Sequence, residues 1–180
     1  GEIMGAGGIS DKMVDFANAI VGRFRGGLAC VNCLDSMFFG GISGSAVADV
    51  SSLGSIVIPM MEKSGYDRDF AIALTVTTSC QGVLIPPSHN MIFFALAAGG
   101  VSVGKLFLGG AIPGIMLGLA LMVYSLIIAH KRNYPKGEAL GFREVIKVTL
   151  SALVALFTAV IIMGGVTLGF FTATESAAIA

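Results

Sequence analysis

The stretch GGISGSAVADV, residues 40–50, decides how this chain is read. Three glycines, two serines and an aspartate stand where the flanking sequence is greasy. The chain is 55% hydrophobic and 12% charged, with a mean hydropathy of +0.88. Soluble domains carry about 25% charged residues. Two uncharged runs, Leu106–Ala129 and Val148–Thr174, exceed the roughly 20 apolar residues that span a bilayer. The composition therefore predicts an all-α integral membrane protein. In that setting a polar, glycine-rich segment is costly unless it has a function.

Working outward, the pieces of Gly26–Met61 on either side of GISGS are short and carry Asp35 and Asp49. Two full crossings would fit. So would a re-entrant hairpin over 26–62, with its tip at 42–46. Gly41 and Gly44 suit a tight turn, and irregular backbone at membrane depth is tolerated where protein buries it or it lines a cavity. The hairpin is the preferred reading.

Further along, 69–100 is a hydrophobic segment interrupted by QGVLIPPSHN. Pro86 and Pro87 remove two N–H donors and bias the preceding residue away from helix. This predicts a broken transmembrane helix, unwound over 82–88. Spans at 106–130 and 148–170 follow, separated by a basic loop at 131–147. Residues 1–25 hold an amphipathic arm helix, with Met13, Val14, Phe16, Ala17, Ile20, Val21 and Phe24 at helical spacing, after the end of a preceding span.

Charge orients the assembly. Lys131, Arg132, Lys136, Arg143 and Lys147 cluster after one crossing, and Arg23, Arg25, Lys63 and Arg68 fall on the same side. Lys105 lies opposite. The positive-inside rule makes the crowded side cytoplasmic. A net charge of zero, without a basic patch, argues against nucleic acid. The sequence does not begin with Met and breaks off at ATESAAIA in mid-pattern, so a piece of a longer protein is expected. Cys30 and Cys33 have CxxC spacing but no second pair, so they read as small packing residues rather than a metal site.

Two polar helix breaks near the midplane are how transporters build ion and substrate sites. Serine hydroxyls and unwound carbonyls are hard oxygen ligands for Na⁺. Half-helix N-termini favour anions. Asp49, one turn past Ser45, is a functional candidate as an intramembrane carboxylate, or else it holds the tip through backbone N–H groups. Asp35 can pair with a neighbouring helix and is left out of the site. His89 reads as a packing residue.

Four segments together resemble the large membrane subunit of the tripartite ATP-independent periplasmic (TRAP) transporters, the DctM-like family. They are GGLACVNCLDSMFFGGISGSAVADVSSLGS (26–55), GVLIPPSHNM (82–91), GGVSVGKLFLGGAIPG (99–114) and LGFFTATESAAIA (168–180). The resemblance implies an elevator-type secondary transporter of inverted repeats, with this chain holding the first repeat and 171–180 starting the second. It implies sodium-coupled import of an organic anion across the bacterial inner membrane. The substrate would be a carboxylate such as sialic acid or a C4-dicarboxylate; PPSHN, where many members have an apolar residue after PPS, leans towards the sugar acid. A periplasmic substrate-binding protein would deliver it, and a small membrane subunit would be the partner. No cofactor is implied beyond Na⁺ as coupling ion. Carried over residue by residue, the sodium site falls on Ser43, Ser45, Gly82, Ile85 and Pro87. Substrate-side or supporting groups fall on Gly44, Asp49, Ser88 and Asn90.

Two rivals come from other classes. GISG at 41–44 matches the GxSG pattern of intramembrane serine proteases, with His89 or His130 as base. That reading leaves Asp49 and the double proline without a use. A passive channel needs neither paired helix breaks nor a binding protein. No enzymatic activity is expected.

Overall fold

The computed structural model describes residues 8–137, 142–168 and 170, and among them every regular element is a helix. α1 is Ile9–Val21, α2 Gly27–Ser43, α3 Ala46–Lys63, α4 Arg68–Ser79 and α5 Gln81–Leu84. α6 is His89–Ala98, α7 Val103–Lys131 and α8 Phe142–Thr167. The first seven residues of the arm, and the start of a second repeat at 171–180, lie outside the described residues.

α2 is the hub. It packs on α1, α3, α4, α5, α7 and α8, so it is buried almost all round, from Ala29 and Val31 to Phe39 and Gly41. A helix enclosed on every side needs no solvent-facing polar stripe, and the run from Gly26 to Gly44 is mostly apolar, its polar Asn32, Asp35 and Ser36 being buried. α3 instead buries one stripe, with Asp49, Leu53, Val57 and Met61 at four-residue spacing. The arm helix α1 turns Met13, Val14 and Ala17 inward and leaves Asp11, Lys12 and Asp15 exposed, as its periodicity predicts, but Ile20 of the same apolar set is exposed, and Phe24 lies beyond the helix end and is exposed too. Phe16 meets Phe38 of α2 with ring centroids 5.3 Å apart.

α4 with α5, and α6, form two arms bent by 43°. The non-helical backbone between them is shorter than the 82–88 expected from sequence. Gln81–Leu84 closes one further helical turn, leaving residues 85–88 outside helix. The peptide bond between Pro86 and Pro87 is cis.

α7, at 29 residues, is about 43 Å long, and it is long and apolar enough to cross a membrane. One side of it is a continuous apolar stripe of exposed Leu108, Ile112, Met116, Leu119, Val123 and Ile127. The other side carries buried Gly110, Gly114 and Gly118. α8 contains the apolar run expected from Val148 and rests on α1, α2 and α7.

The loops at the basic end are tied together. Arg25 and Lys136 form an isolated antiparallel bridge, and Gly26 N donates to the Pro135 carbonyl at 3.1 Å. Tyr66 and Tyr134 rings lie 4.3 Å apart, with Phe70 against Tyr134 at 5.5 Å. The Asp67 carboxylate accepts from the Tyr134 hydroxyl at 2.7 Å and from the Arg132 guanidinium. Those two hydrogen bonds, Tyr134 first and Arg132 second, hold the Asp67 carboxyl below its ordinary range.

A carboxyl held low in the folded state adds stability that is present above its unfolded pKa and is lost as pH falls through its folded one. The apparent melting temperature of the wild type is therefore expected to fall on acidification through the carboxylate range. Asp67→Asn should fall less steeply. Equal slopes in a pH series of thermal unfolding would detach Asp67 from this latch.

Candidate functional site

The hairpin turn and the helix break meet. α2 ends at Ser43, Gly44 turns with φ 59°, and Ser45 is extended before α3 starts at Ala46. A Cβ added to Gly44 would run into the Pro87 carbonyl oxygen and stand 3.2 Å from His89 N. One at Gly40 would stand 2.5 Å from Gly82 Cα. The two backbones touch because neither has a side chain there. The break rests on the glycine face of α7: a Cβ at Gly114 would sit 2.7 Å from Ile85 Cγ1, and one at Gly110 2.8 Å from the Leu84 carbonyl oxygen. Gly114 is eleven residues after Val103, the first of α7, or about 16 Å at 1.5 Å per residue. The contact thus falls part-way along α7 and not at its end.

Four helix ends converge on this point. α2 and α5 arrive with their C-termini, which present carbonyls, and α3 and α6 leave with their N-termini, which present N–H groups. The partial charges are negative at the first pair and positive at the second. One small volume therefore offers oxygen ligands to a cation and donors to an anion.

The side chains sharpen this. Ser43 Oγ accepts from Ser45 N at 3.4 Å, and Ser45 Oγ accepts from Ala48 N at 3.4 Å, capping α3. Both hydroxyls keep lone pairs for another partner. Asp49 is fully buried; its Oδ1 lies 3.4 Å from Ser36 Oγ, while its Oδ2 has no partner among the described residues. The hydroxyl of fully buried Ser88 has none either. Buried polar groups without partners are rare and call for an explanation. A Cβ on Gly82 would stand 3.8 Å from Asp49 Oδ2 and 3.9 Å from the Ser45 carbonyl carbon. Ser43, Gly44, Ser45, Asp49, Gly82, Ile85, Pro87 and Ser88 are thus gathered in one place. Asn90 is exposed on the first turn of α6 and is not gathered with them, and His89 beside it is exposed too.

A buried polar ladder that no sequence motif marks lies below the tip. Asn32 Nδ2 donates to Thr75 Oγ1 at 2.7 Å, and Thr78 Oγ1 donates to Asn32 Oδ1 at 3.0 Å. Ser36 Oγ lies 3.2 Å from Thr78 Oγ1, with its one proton to share between Thr78 and Asp49. The ladder pins α2 to α4 and ends at Asp49 on α3. Its signal was present: Asn32 and Ser36 are four apart and Thr75 and Thr78 three apart, so each pair shares a helix face. Gln81 is unmarked as well. It is fully buried, and its amide has no partner among the described residues. Cys30 and Cys33 are free and buried, Cys33 Sγ lying 3.8 Å from Ser125 Oγ of α7. Among the described residues no group of three or more metal-ligating His, Cys, Asp or Glu occurs.

A family model described as "Tripartite ATP-independent periplasmic transporter, DctM component" matches residues 1–180. The chain belongs to this family. It is 44% identical over 177 residues to the C4-dicarboxylate TRAP transporter large permease protein DctM of Vibrio cholerae, covering 98% of this chain and 39% of that protein. It is 41% identical to the sialic acid TRAP transporter large permease protein SiaM of the same organism, covering 99% and 42%. An uncharacterized protein, YgiK of Salmonella typhimurium, matches at 44% identity, covering 100% and 41%. The chain spans about two fifths of the length of these relatives. The family is one of all-helical membrane permeases, so the lipid bilayer is its solvent. The named relatives are permeases and not enzymes, which sets aside the peptidase reading of GISG.

The glycine contacts make a sharp comparison. Gly40→Ala forces α2 away from Gly82, an overpacking expected to cost about 1–3 kcal/mol. Gly109→Ala, on a face of α7 with nothing within 4 Å of the added Cβ, should be neutral or stabilising by up to about 1 kcal/mol. Thermal unfolding of the two purified variants checks this. Equal melting temperatures would mean that the tip and the break are not in contact.

Proposed function

We propose that this chain is the first half of the moving, ion-carrying body of a sodium-coupled permease that imports an organic anion. The observation that carries the reading is the meeting of a Ser/Gly hairpin turn with a helix break part-way along α7. On this reading 26–62 is a re-entrant hairpin, and its tip and the break form one site. Na⁺ is held by the Ser43 and Ser45 hydroxyls and the carbonyls of Gly82, Ile85 and Pro87. The N-termini of α3 and α6, with Ser88, face the anion, and Asp49 adds negative charge beside the cation.

The substrate class is a carboxylate. Relatives named for C4-dicarboxylate, sialic acid and 2,3-diketo-L-gulonate support that class. PPSHN favours an acidic sugar over a C4-dicarboxylate. A periplasmic binding protein and a small membrane subunit complete the system, as the family's tripartite description suggests. The end carrying Arg23, Arg25, Lys63, Arg68, Lys131, Arg132 and Lys136 is cytoplasmic by the positive-inside rule, in a bacterial inner membrane.

The ladder Asn32–Thr78–Ser36–Asp49 and the tip–break contact support motion of hairpin and broken helix as one piece, an elevator. Between inward- and outward-facing states, labels flanking Ser43 and Ile85 should keep their separation. A label near Leu156 should shift relative to them by one or more helical turns of ~5.4 Å. A separating tip–break pair beside a fixed tip–scaffold distance would replace the elevator with local gating.

The sodium site is tested by Ser43→Ala and Ser45→Gly. Glycine at position 45 removes the oxygen while costing the α3 cap only a few tenths of a kcal/mol. In proteoliposomes of the complete permease each variant should raise the sodium concentration for half-maximal uptake about tenfold or more, one charged-group ligand being worth roughly 1.5–3 kcal/mol. An unchanged sodium dependence in both removes these residues from the ion site. Uptake that proceeds without sodium and never exceeds equilibrium points to a channel.

A further inference from the structure

Asp35 lies on α2 inside the hairpin. It is fully buried, and neither carboxylate oxygen has a hydrogen-bond partner among the described residues. The pairing with a neighbouring helix that its position suggested is not there. The ion pairs among the described residues, Arg68–Glu62 and Arg132–Asp67, are at the basic end. The charges felt at Asp35 are those of Asp49 on α3 and of the exposed Asp15 on α1, both acidic; among the described residues no cation acts on it. Its neighbours Asn32 and Ser36 turn their polar atoms to Thr75, Thr78 and Asp49.

A buried carboxylate without donors or a counter-charge is too costly to persist as an anion. Two further acidic groups and no cation around it make the deficit of positive charge larger. An ionisable residue within a membrane helix is a functional candidate with a partner to be named, and a small cation fits here, because the position is closed to solvent and no donor or cationic side chain among the described residues reaches it. We propose that Asp35 is a second cation-binding position of the hairpin, apart from the tip, occupied by a proton or a sodium ion. Either supplies the single positive charge that the carboxylate lacks. In the transport reading given above, on which the meaning of this position for the cycle rests, that cation travels with the hairpin in addition to the one at the tip. It also meets Asp49 electrostatically, so its loss would alter the field at the tip without touching a tip ligand.

The complete permease, purified in nanodiscs as wild type and Asp35→Asn, tests this with two readouts that do not depend on transport. One is the number of sodium ions bound, measured by equilibrium binding of radioactive sodium. The other is the infrared carbonyl band of a protonated carboxylic acid. The expected result is loss of one cation in the variant. A proton at Asp35 shows as loss of an acid band with the sodium count unchanged. A sodium ion at Asp35 shows as a sodium count lower by one with the acid band unchanged. If both the band and the count are the same in variant and wild type, the proposal is overturned. Should Asp35→Asn fail to accumulate, Asp35→Glu keeps the charge and carries the same test. It should move the acid band or weaken the binding of one sodium, and no change in either overturns the proposal. Failure of wild-type permease to accumulate substrate on a sodium gradient would instead sink the transport reading, and would leave both Asp35 readouts standing.

Discussion

Everything in this fold hangs on backbone touching backbone where the hairpin turn meets the helix break. A helix that stops inside a bilayer leaves N–H and C=O groups that must be satisfied locally. Here helix ends of both kinds stop side by side, carbonyls from α2 and α5 beside N–H groups from α3 and α6. Gly40 against Gly82, and Gly44 against Pro87 and His89, let these ends approach backbone to backbone. The glycine face of α7 then backs the break, since any larger residue at 110 or 114 would hold it away. α2, which carries the tip, is the hub, enclosed by α1, α3, α4, α5, α7 and α8.

Side chains below the tip turn this contact into a body. Asn32, Ser36, Thr75 and Thr78 link α2 to α4 by hydrogen bonds in a buried setting, where such bonds are stronger than in water. Tyr66, Phe70 and Tyr134 close the basic end with rings, and Asp67 adds an exposed polar latch. Between them, the hairpin and the first arm of the broken helix are held at both ends. The large exposed faces lie elsewhere. Phe93, Phe94 and Leu96 of α6 and the outer stripe of α7 are apolar and uncovered, as surfaces facing lipid or further protein must be.

Much of this was legible in the sequence, for reasons that differ by element. The break was visible because a double proline acts locally through missing donors and restricted φ. The turn was visible because Gly and Ser concentrate there against an apolar background. The break was drawn too long because Gln81–Leu84 has no local mark of helix; it is held as a turn by packing on α2 and α7, which composition does not reveal. Asn32 and Thr78 were passed over because single polar residues in apolar helices carry no motif, and their pairing across 46 positions exists only after folding. Asp35 could have paired with a neighbouring helix, as its sequence position allows; only the packed structure shows that its neighbours spend their hydrogen bonds on one another. Asn90 followed from motif matching, and one turn of helix carries it outward.

The stripe of Gly110, Gly114 and Gly118 also sets where evolution can lengthen or shorten the chain. These glycines share a face only because they are four residues apart, each step of one residue turning the helix by about 100°. A deletion between Gly110 and Gly118 would swing part of the stripe away from the break and turn side chains such as Ile112 or Met116 towards it. A deletion before Val103 would leave the register of the whole stripe untouched. A change of length in the linker at 99–102 therefore leaves the stripe intact, whereas a change between the first and last of these glycines takes it apart.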